Sequence, residues 1–505
     1  MPDKSVINVK TDYGAVGDGV ANDTAPLLKA IQEAIRRQGA TIYLPSGTYR
    51  TAPIEATGSF GIVGDGDTSV LYSEDRSKSV LKVNSATGVS FSNFKIRSNG
   101  TSYSQRNSAQ YGFFLYKGER CLLQHLTVEN TCAAGLFIFT CKNTKVAYNH
   151  VKNTLADGIH VTGSSKDCVV IGNTLADTGD DGIAVVSYQK DKDYCERIMI
   201  IGNGVYNSWA RGIAHVGGKN VTIADNIVTN SASSGILVVE DTNYQTYKSY
   251  DTVIHHNQIT KAGNYTPPRQ MSGNKIGIEI ATGSIGVEID GNFVKESWST
   301  GISITTDSPG VAVRGNTVNG GQETGIQILG TDKIVVADNV VEKNKKYGLY
   351  ATGVAYGTFV GNHWINNNFY DMASPGTGTP SADVQAIDNA NFGSCKDCTI
   401  SNNVSVDDRT DRATARVERA IEVGGSTRMK LSGNQCYVYN ADPNRVQTRE
   451  ALLDGNTDCE RIDIYTGTET PTSRIFRAGQ LYFKKDSKEL FVYDGSKWRK
   501  CTLSS

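Results

Sequence analysis

A glycine followed by alternating apolar residues recurs through the middle of this chain at nearly constant spacing, and that period leaves few folds open. The segments YGFFL, AGLFIF, DGIHV, DGIAVV, RGIAHV, SGILVV, IGIEI, TGISI, TGIQI and YGLYA carry Gly112, Gly135, Gly158, Gly182, Gly212, Gly235, Gly277, Gly301, Gly325 and Gly348. Successive intervals are 23, 23, 24, 30, 23, 42, 24, 24 and 23, so seven of the nine are 23 or 24 residues. Such a period holds three short strands joined by turns and is too short for a helix pair. The apolar runs are rich in Val and Ile and alternate with period two, as half-buried strands do. One coil cannot bury its own inner face, so coils must stack on a shared core. Leucine-rich repeats have a similar period but need a Leu-x-x-Leu-x-Leu frame, which is absent. The expected fold class is all-β, a right-handed single-stranded parallel β-helix.

A second ladder runs beside the first: Asn149, Asn173, Asn203, Asn226, Asn257, Asn292, Asn316, Asn339 and Asn362, all in a V-x-x-N or I-x-x-N context except Asn362, where Phe359 takes the apolar place. Asn tolerates turn conformations, and amides stacked coil upon coil can bond to one another. Ahead of the repeats, DTAPLLKAIQEAIRRQG reads as one amphipathic helix. Asp23 or Thr24 is its cap, Leu27, Leu28, Ile31 and Ile35 its apolar face, and Gly39 its end. A helix there has a physical task, since the open end of stacked coils exposes core and unpaired strand edge. The expected organisation is a cap over 1–55, the β-helix over 56–371, irregular coils over 372–473 beginning in the turn-rich SPGTGTPSAD, and a small β-meander over 474–505.

Lys and Arg total 51 against 52 Asp and Glu, a balance that argues against the basic surface that nucleic-acid binding needs. No apolar run approaches the ~18–20 residues that span a bilayer. The opening MPDKSVINVK has no apolar core of a secretory signal. Most of the 10 cysteines, Cys121, Cys141 and Cys168 among them, sit in apolar stretches as small buried residues do. Cys395 and Cys398 form a lone C-x-x-C with no second pair to complete a zinc site.

The opening YGAVGDGVANDTAPLLKAIQEAI, followed by TIYLPSGTYR, resembles the amino-terminal signature of the pectate-lyase-like β-helix superfamily. Polygalacturonase-type hydrolases, lyases, epimerases and bacteriophage tailspike depolymerases belong to that superfamily. With the coil repeat, the resemblance covers roughly residues 5–365. A narrower likeness, to polygalacturonases, lies in NTLADGIHVTGSSKDCVVIGNTLADTGDDGIAVV. That family carries Asn-Thr-Asp, Asp-Asp, Gly-His-Gly and Arg-Ile-Lys on successive coils. Asp157 matches the first Asp, and Asp180 with Asp181 match the pair. The third motif departs, because WARGIAHV puts Arg211 where the family has its His, with His215 four residues on. The fourth offers Glu240 and Asp241 in place of Arg and Lys. The terminal LYFKKDSKELFVYDGSKWRK looks like small pieces of phage tail proteins. The resemblance thus implies an extracellular or virion-borne protein acting on a polysaccharide or cell-wall polymer, with three-fold assembly by analogy to tailspikes.

The residues carry their own argument for a site. The position before each repeat glycine reads Tyr111, Ala134, Asp157, Asp181, Arg211, Ser234 and onward. Equivalent positions on adjacent coils lie about 4.8 Å apart, so Asp157, Asp181 and Arg211 should form a vertical ladder with Asp180 beside it. Like charges that close raise one another's pKa, which leaves one carboxyl protonated as a general acid while another activates water. Asp157, Asp180 and Asp181 are therefore the candidate catalytic set, with no resident metal or cofactor. D-G is also a common turn pair, and the alternative is that these are turn residues. Arg211, His160, His215, Glu240 and Glu279 are the candidate substrate contacts. His160 and Glu279 fall in the outward column. His215 shares a column with Val161, Val185, Val238 and Ile280, which favours packing unless a bulge re-aims it. The two long intervals carry excursions, SYQKDKDYCER and DTNYQTYKSYD with AGNYTPPRQMSGN, that bring tyrosines to the same region. The expected activity is glycoside hydrolysis. Two alternatives stand beside it: a calcium-dependent lyase with Arg211 as base, and a glycan-binding spike without catalysis.

Overall fold

The computed structural model describes residues 6–269, 273–367, 388–408 and 419–438, and short segments between 452 and 500. The expected boundaries at 371–372 and 473–474, and the turn-rich 374–383, lie outside the described residues. The chain divides into two units, Met1–Glu288 and Ile289–Ser505.

In the first unit each coil contributes three short strands. Lys145–Ala147, His150–Thr154 and Ile159–Thr162 form one coil, and Val169–Ile171, Thr174–Thr178 and Ile183–Val186 the next. The coils pair in parallel, with Val146 opposite Val170, Val151 opposite Leu175 and Val161 opposite Val185. These inward residues are fully buried, and they supply the core that no single coil could enclose. The fold is a parallel β-helix.

Two devices hold the register. Asn149, Asn173, Asn203, Asn226 and Asn257 are all buried. Each amide from Asn149 to Asn226 donates to the Oδ1 of the next Asn at 2.9–3.0 Å, and that same Oδ1 accepts the backbone N–H of the lower coil. The residue before each Asn bends the chain in the left-handed region, whether Gly172 and Gly202 or, with a Cβ, Tyr148, Asp225 and His256. The repeat glycines serve a different purpose, close approach. A Cβ on Gly135 would meet Val151 Cγ1 at 2.5 Å and Gly158 O at 2.8 Å.

The helix Thr24–Arg36 buries Leu27, Ala30, Ile31 and Ala34 against the strands Ile7–Asn8, Thr41–Leu44 and Ile54–Thr57. Leu28 and Ile35 flank that face half-buried. Asp23 stands at the cap position, but its carboxylate accepts instead from the N–H groups of Val16 and Gly17, at 2.7 and 3.0 Å. No helix among the described residues is long and apolar enough to cross a membrane.

The second unit repeats the pattern, with Asn292, Asn316, Asn339, Asn362, Asn403 and Asn434 bonded in sequence. A further short ladder joins Asn344, Asn367 and Asn389. Cys395 and Cys398 are buried, with each thiol on a backbone carbonyl. Near the chain end Glu489–Tyr493 pairs antiparallel with both Leu481–Lys484 and Trp498–Lys500.

Candidate active site

The backbone ladder puts the acids in register. Gly158 N–H donates to Asp181 O at 2.9 Å, and Gly182 N–H to Arg211 O at 3.0 Å. Asp157, Asp181 and Arg211 therefore stack on successive coils. Asp157 Oδ1 accepts the N–H of Asp181 at 3.0 Å, and Asp181 Oδ1 accepts that of Arg211 at 2.9 Å. The remaining oxygens take side chains. Asp157 Oδ2 lies 2.6 Å from His160 Nδ1, and Asp181 Oδ2 accepts from Arg211 Nη2 at 2.9 Å. Asp180 is built differently. Its Oδ2 accepts from Arg106 Nη2 at 2.8 Å, and its carboxylate takes no backbone donor among the described residues. Oxygens of all three acids lie within 4.8 Å of one another. The turn-residue alternative thus accounts for half the bonding of Asp157 and Asp181 and for none of Asp180's.

At that separation the three carboxyls titrate as one set. Burial, with the charge of Asp157 beside it, pushes Asp180 above the ordinary carboxylate range, against the pull of Arg211 and Arg106. Burial also pushes Asp181 well up, and Asp180 and Asp157 add to it against the pull of Arg211. Asp157 goes the other way: burial works to raise it, but the hydrogen bond and charge of His160, the N–H of Asp181 and the charge of Arg211 together hold it low. Burial works to lower Arg211, and the three acids outweigh it and raise its pKa further. Arg211 therefore stays protonated and is unsuited to removing a proton.

The other sequence candidates fall elsewhere. His160 belongs to the cluster, and its Nε2 is buried with no hydrogen-bond partner among the described residues. His215 does not reach this face. It is fully enclosed opposite Val185 and Val238, donates to or accepts from Thr252 Oγ1 at 3.1 Å, and is pushed down to about 3 by burial. The strand runs without a bulge there, so the apolar column decides its direction and it is corrected to a core residue. Glu279 is buried between Ser234 Oγ and Asn274 Nδ2, each at 2.5 Å. Its column runs His160, Ala184, Ala214, Leu237, Glu279, which places it four coils from His160. It is a satisfied internal acid and stands apart from the cluster. Glu240 follows the strand Ile236–Val239, half-buried, with its side chain against Gly283. The adjoining Asp241 caps the short turn Thr242–Tyr244.

Sequence reading missed the residues that close the site from upstream. Arg106 comes from the irregular stretch before the first repeat, 74 residues from the Asp180 it contacts. Its Nη1 donates to Tyr103 Oη at 2.8 Å, and Tyr103 stacks on Trp209 with centroids 6.0 Å apart. Arg269 lies over the Tyr103 ring, 4.2 Å from its centroid. One end of the ladder is aromatic: Tyr111 stacks on Phe137 at 4.0 Å, and Phe137 lies 5.2 Å from the His160 ring. Tyr111 stood in the acids' own column, which was the signal available. The small Ala184 and Ala214 leave room beside the acids, and that room is partly filled by Tyr188.

The donor set was tested against calcium, which takes six to eight oxygens. Here each carboxylate already faces a donor, from His160, Arg106 or Arg211, and two guanidinium groups stand where a divalent cation would be repelled. The residues do not fit that ion.

A family model described as rhamnogalacturonase A/epimerase, pectate lyase-like, matches residues 6–264. A second, described as periplasmic copper-binding protein (NosD), matches 264–379. The mannuronan C5-epimerase AlgE1 of Azotobacter vinelandii is 26% identical over 250 residues, 41% of this chain and 18% of that protein. AlgE4 of the same organism is 35% identical over 101 residues, 18% of each chain. The matches thus span less than a fifth of these relatives' length. Among solved structures, the Agl-KA catalytic domain superposes with a TM-score of 0.52 at 16% identity, covering 85% of this chain and 68% of that one.

Proposed function

Because the chain belongs to the rhamnogalacturonase A/epimerase, pectate lyase-like family, we propose that it is an enzyme acting on a polysaccharide, and that it cleaves glycosidic bonds by carboxylate acid/base catalysis. The observation that carries this reading is the cluster of three carboxylates within 4.8 Å, of which one has no part in the fold's own hydrogen bonding. Asp180 donates the proton to the leaving oxygen, since burial and the charge of Asp157 favour its protonated form against the pull of Arg211 and Arg106. Asp157, kept charged by His160, draws the proton from the attacking water. Asp181 holds Arg211, whose guanidinium steadies the cluster or meets an anionic group of the sugar.

End-group analysis tests this on a panel of acidic polysaccharides and bacterial envelope polymers. New reducing ends are expected, without unsaturated sugars. Asp180→Asn should lower kcat about 10²–10⁴-fold, the usual worth of a general acid. Full activity in both Asp180→Asn and Asp181→Asn, on a polymer the protein cleaves, would remove the cluster from the mechanism. Failure to release ends from any polymer it binds would leave a binding spike.

A second reading rests on one observation, the buried and unpartnered Nε2 of His160, whose Nδ1 is held by Asp157. Such a pair suits removal of the proton α to a uronate carboxylate. It leads to β-elimination, or to epimerisation when the proton returns on the opposite face. Proton NMR of the products separates the outcomes: unsaturated ends for elimination, inverted C5 without chain cleavage for epimerisation.

The same proposal makes the chain an extracellular or virion appendage that assembles in threes, supported by its sequence likeness to tail proteins. Light scattering at several concentrations should give three times 54.5 kDa; a monomer mass would end this part.

A further inference from the structure

Beyond the acid cluster, the two irregular excursions meet and border an open cavity of about 320 Å³ lined by Tyr188, Lys190, Asn243, Tyr244 and Gln245. The first excursion follows the strand Ile183–Val186 and the second the strand Ile236–Val239. They are tied to each other. Gln189 N–H donates to Gln245 O at 2.9 Å, Gln189 Nε2 to Thr246 O at 3.0 Å, and Tyr247 N–H to Ser187 O at 3.0 Å. The Asp241 carboxylate holds the turn by accepting from Asn243 and Tyr244 N–H at 3.0 and 3.3 Å. The cavity is therefore built before any ligand arrives.

Its lining has two sides of different chemistry. Tyr188 packs against Ala184, Val186, Ala214 and Val216, while Tyr244 stands 70% exposed with no apolar cover. The amides of Asn243 and Gln245 are exposed and take no hydrogen-bond partner among the described residues. Lys190 Nζ lies 4.7 Å from the Tyr188 centroid and forms no ion pair among the described residues. An aromatic face, free amides and one unpaired cation, held on a rigid frame, are what an anionic sugar requires: a ring to stack on, partners for hydroxyls, a charge for its acid group.

We propose that this cavity is an accessory subsite for a sugar residue bearing an anionic group, with Tyr244 under the ring and Lys190 at the charge. The proposal rests on the polysaccharide reading above and adds to it: Tyr188 lines the cavity and also packs on the strands Ile183–Val186 and Ile213–Val216, the two coils that carry Asp181 and Arg211. A polymer would then be gripped at the acids and again at the excursions.

Calorimetry on the Asp181→Asn protein tests it, with oligomers of mannuronan and polygalacturonate and their carboxyl-reduced forms as probes. Tyr244→Ala should weaken binding of the preferred acidic oligomer about ten-fold. Lys190→Gln should weaken the acidic oligomer several-fold and leave its carboxyl-reduced form unchanged. Both side chains are exposed, so neither change threatens folding. Failure of every probe to bind overturns the proposal, as does binding that neither substitution alters, or an equal loss for acidic and reduced forms in Lys190→Gln. The catalytic reading fails separately, when Asp180→Asn and Asp181→Asn both retain full activity.

Discussion

Asp180 and Asp181 are adjacent in the chain and differ in what they owe to the fold. The Asp181 carboxylate holds an amide of the next coil, whereas the Asp180 carboxylate, among the described residues, accepts from the Arg106 side chain alone. Replacing Arg106 with Gln removes the guanidinium that opposes protonation of Asp180. The alkaline limb of the kcat/KM profile should then move to higher pH, with the fold intact by circular dichroism. Asp181 permits a stability test. A buried carboxyl whose folded pKa lies above its unfolded value binds its proton more tightly when folded. Its contribution is present at low pH and is lost as pH rises through the folded value. As pH rises above the ordinary carboxylate range, the melting temperature should therefore fall more steeply in the wild type than in Asp181→Asn. Asp157 acts in the opposite sense, with stability lost as pH falls below the ordinary carboxylate range. Identical slopes in the two proteins would mean that Asp181 is ionised throughout.

At the scale of the coil, the register depends on amides and glycines rather than on strand propensity. Asn226 is enclosed, donating to Ile200 O at 2.9 Å and Asn257 Oδ1 at 2.9 Å. Asn226→Ala strands buried acceptors above and below it and should cost about 2–4 kcal/mol in a denaturant titration. Gly135→Ala inserts a methyl where none fits and should cost about 1–3 kcal/mol. These ladders were legible in the sequence because stacking forces equivalent residues into equivalent surroundings, so the period itself reports the contact. The column Asp157, Asp181, Arg211 was legible for the same reason. Arg106 was not, because its stretch lies outside the repeat and its contact depends on a loop crossing several coils. The repeat pattern puts Glu279 in the outward column as a candidate substrate contact, yet the structure encloses it. Its column does face outward, but Ser234 and the segment carrying Asn274 cover it, and no periodicity records a covering loop. His215 departs in type from its column of Val and Ile while obeying their direction.

Over the whole molecule, nearly all cohesion passes between neighbouring coils, so disturbance should spread by proximity in the stack. Hydrogen exchange on Asn226→Ala should quicken at the strands Gly204–Tyr206, Ile227–Thr229 and Gln258–Thr260 and leave Phe113–Tyr116 at its wild-type rate. Uniform acceleration would show that the coils of the first unit open as one body. The glycine spacing also bears on how such a chain changes over generations. A gain or loss of 23 or 24 residues hands every amide and carboxylate on to an equivalent neighbour, and the ladder continues. A single residue gained inside a strand turns its following side chains inside out and sets charge against the core. Descent should therefore add and remove whole coils, and novelty should gather in the corners where the counting is suspended, between Ser187 and Cys195 and after Asp241, beside the chemistry it would modify.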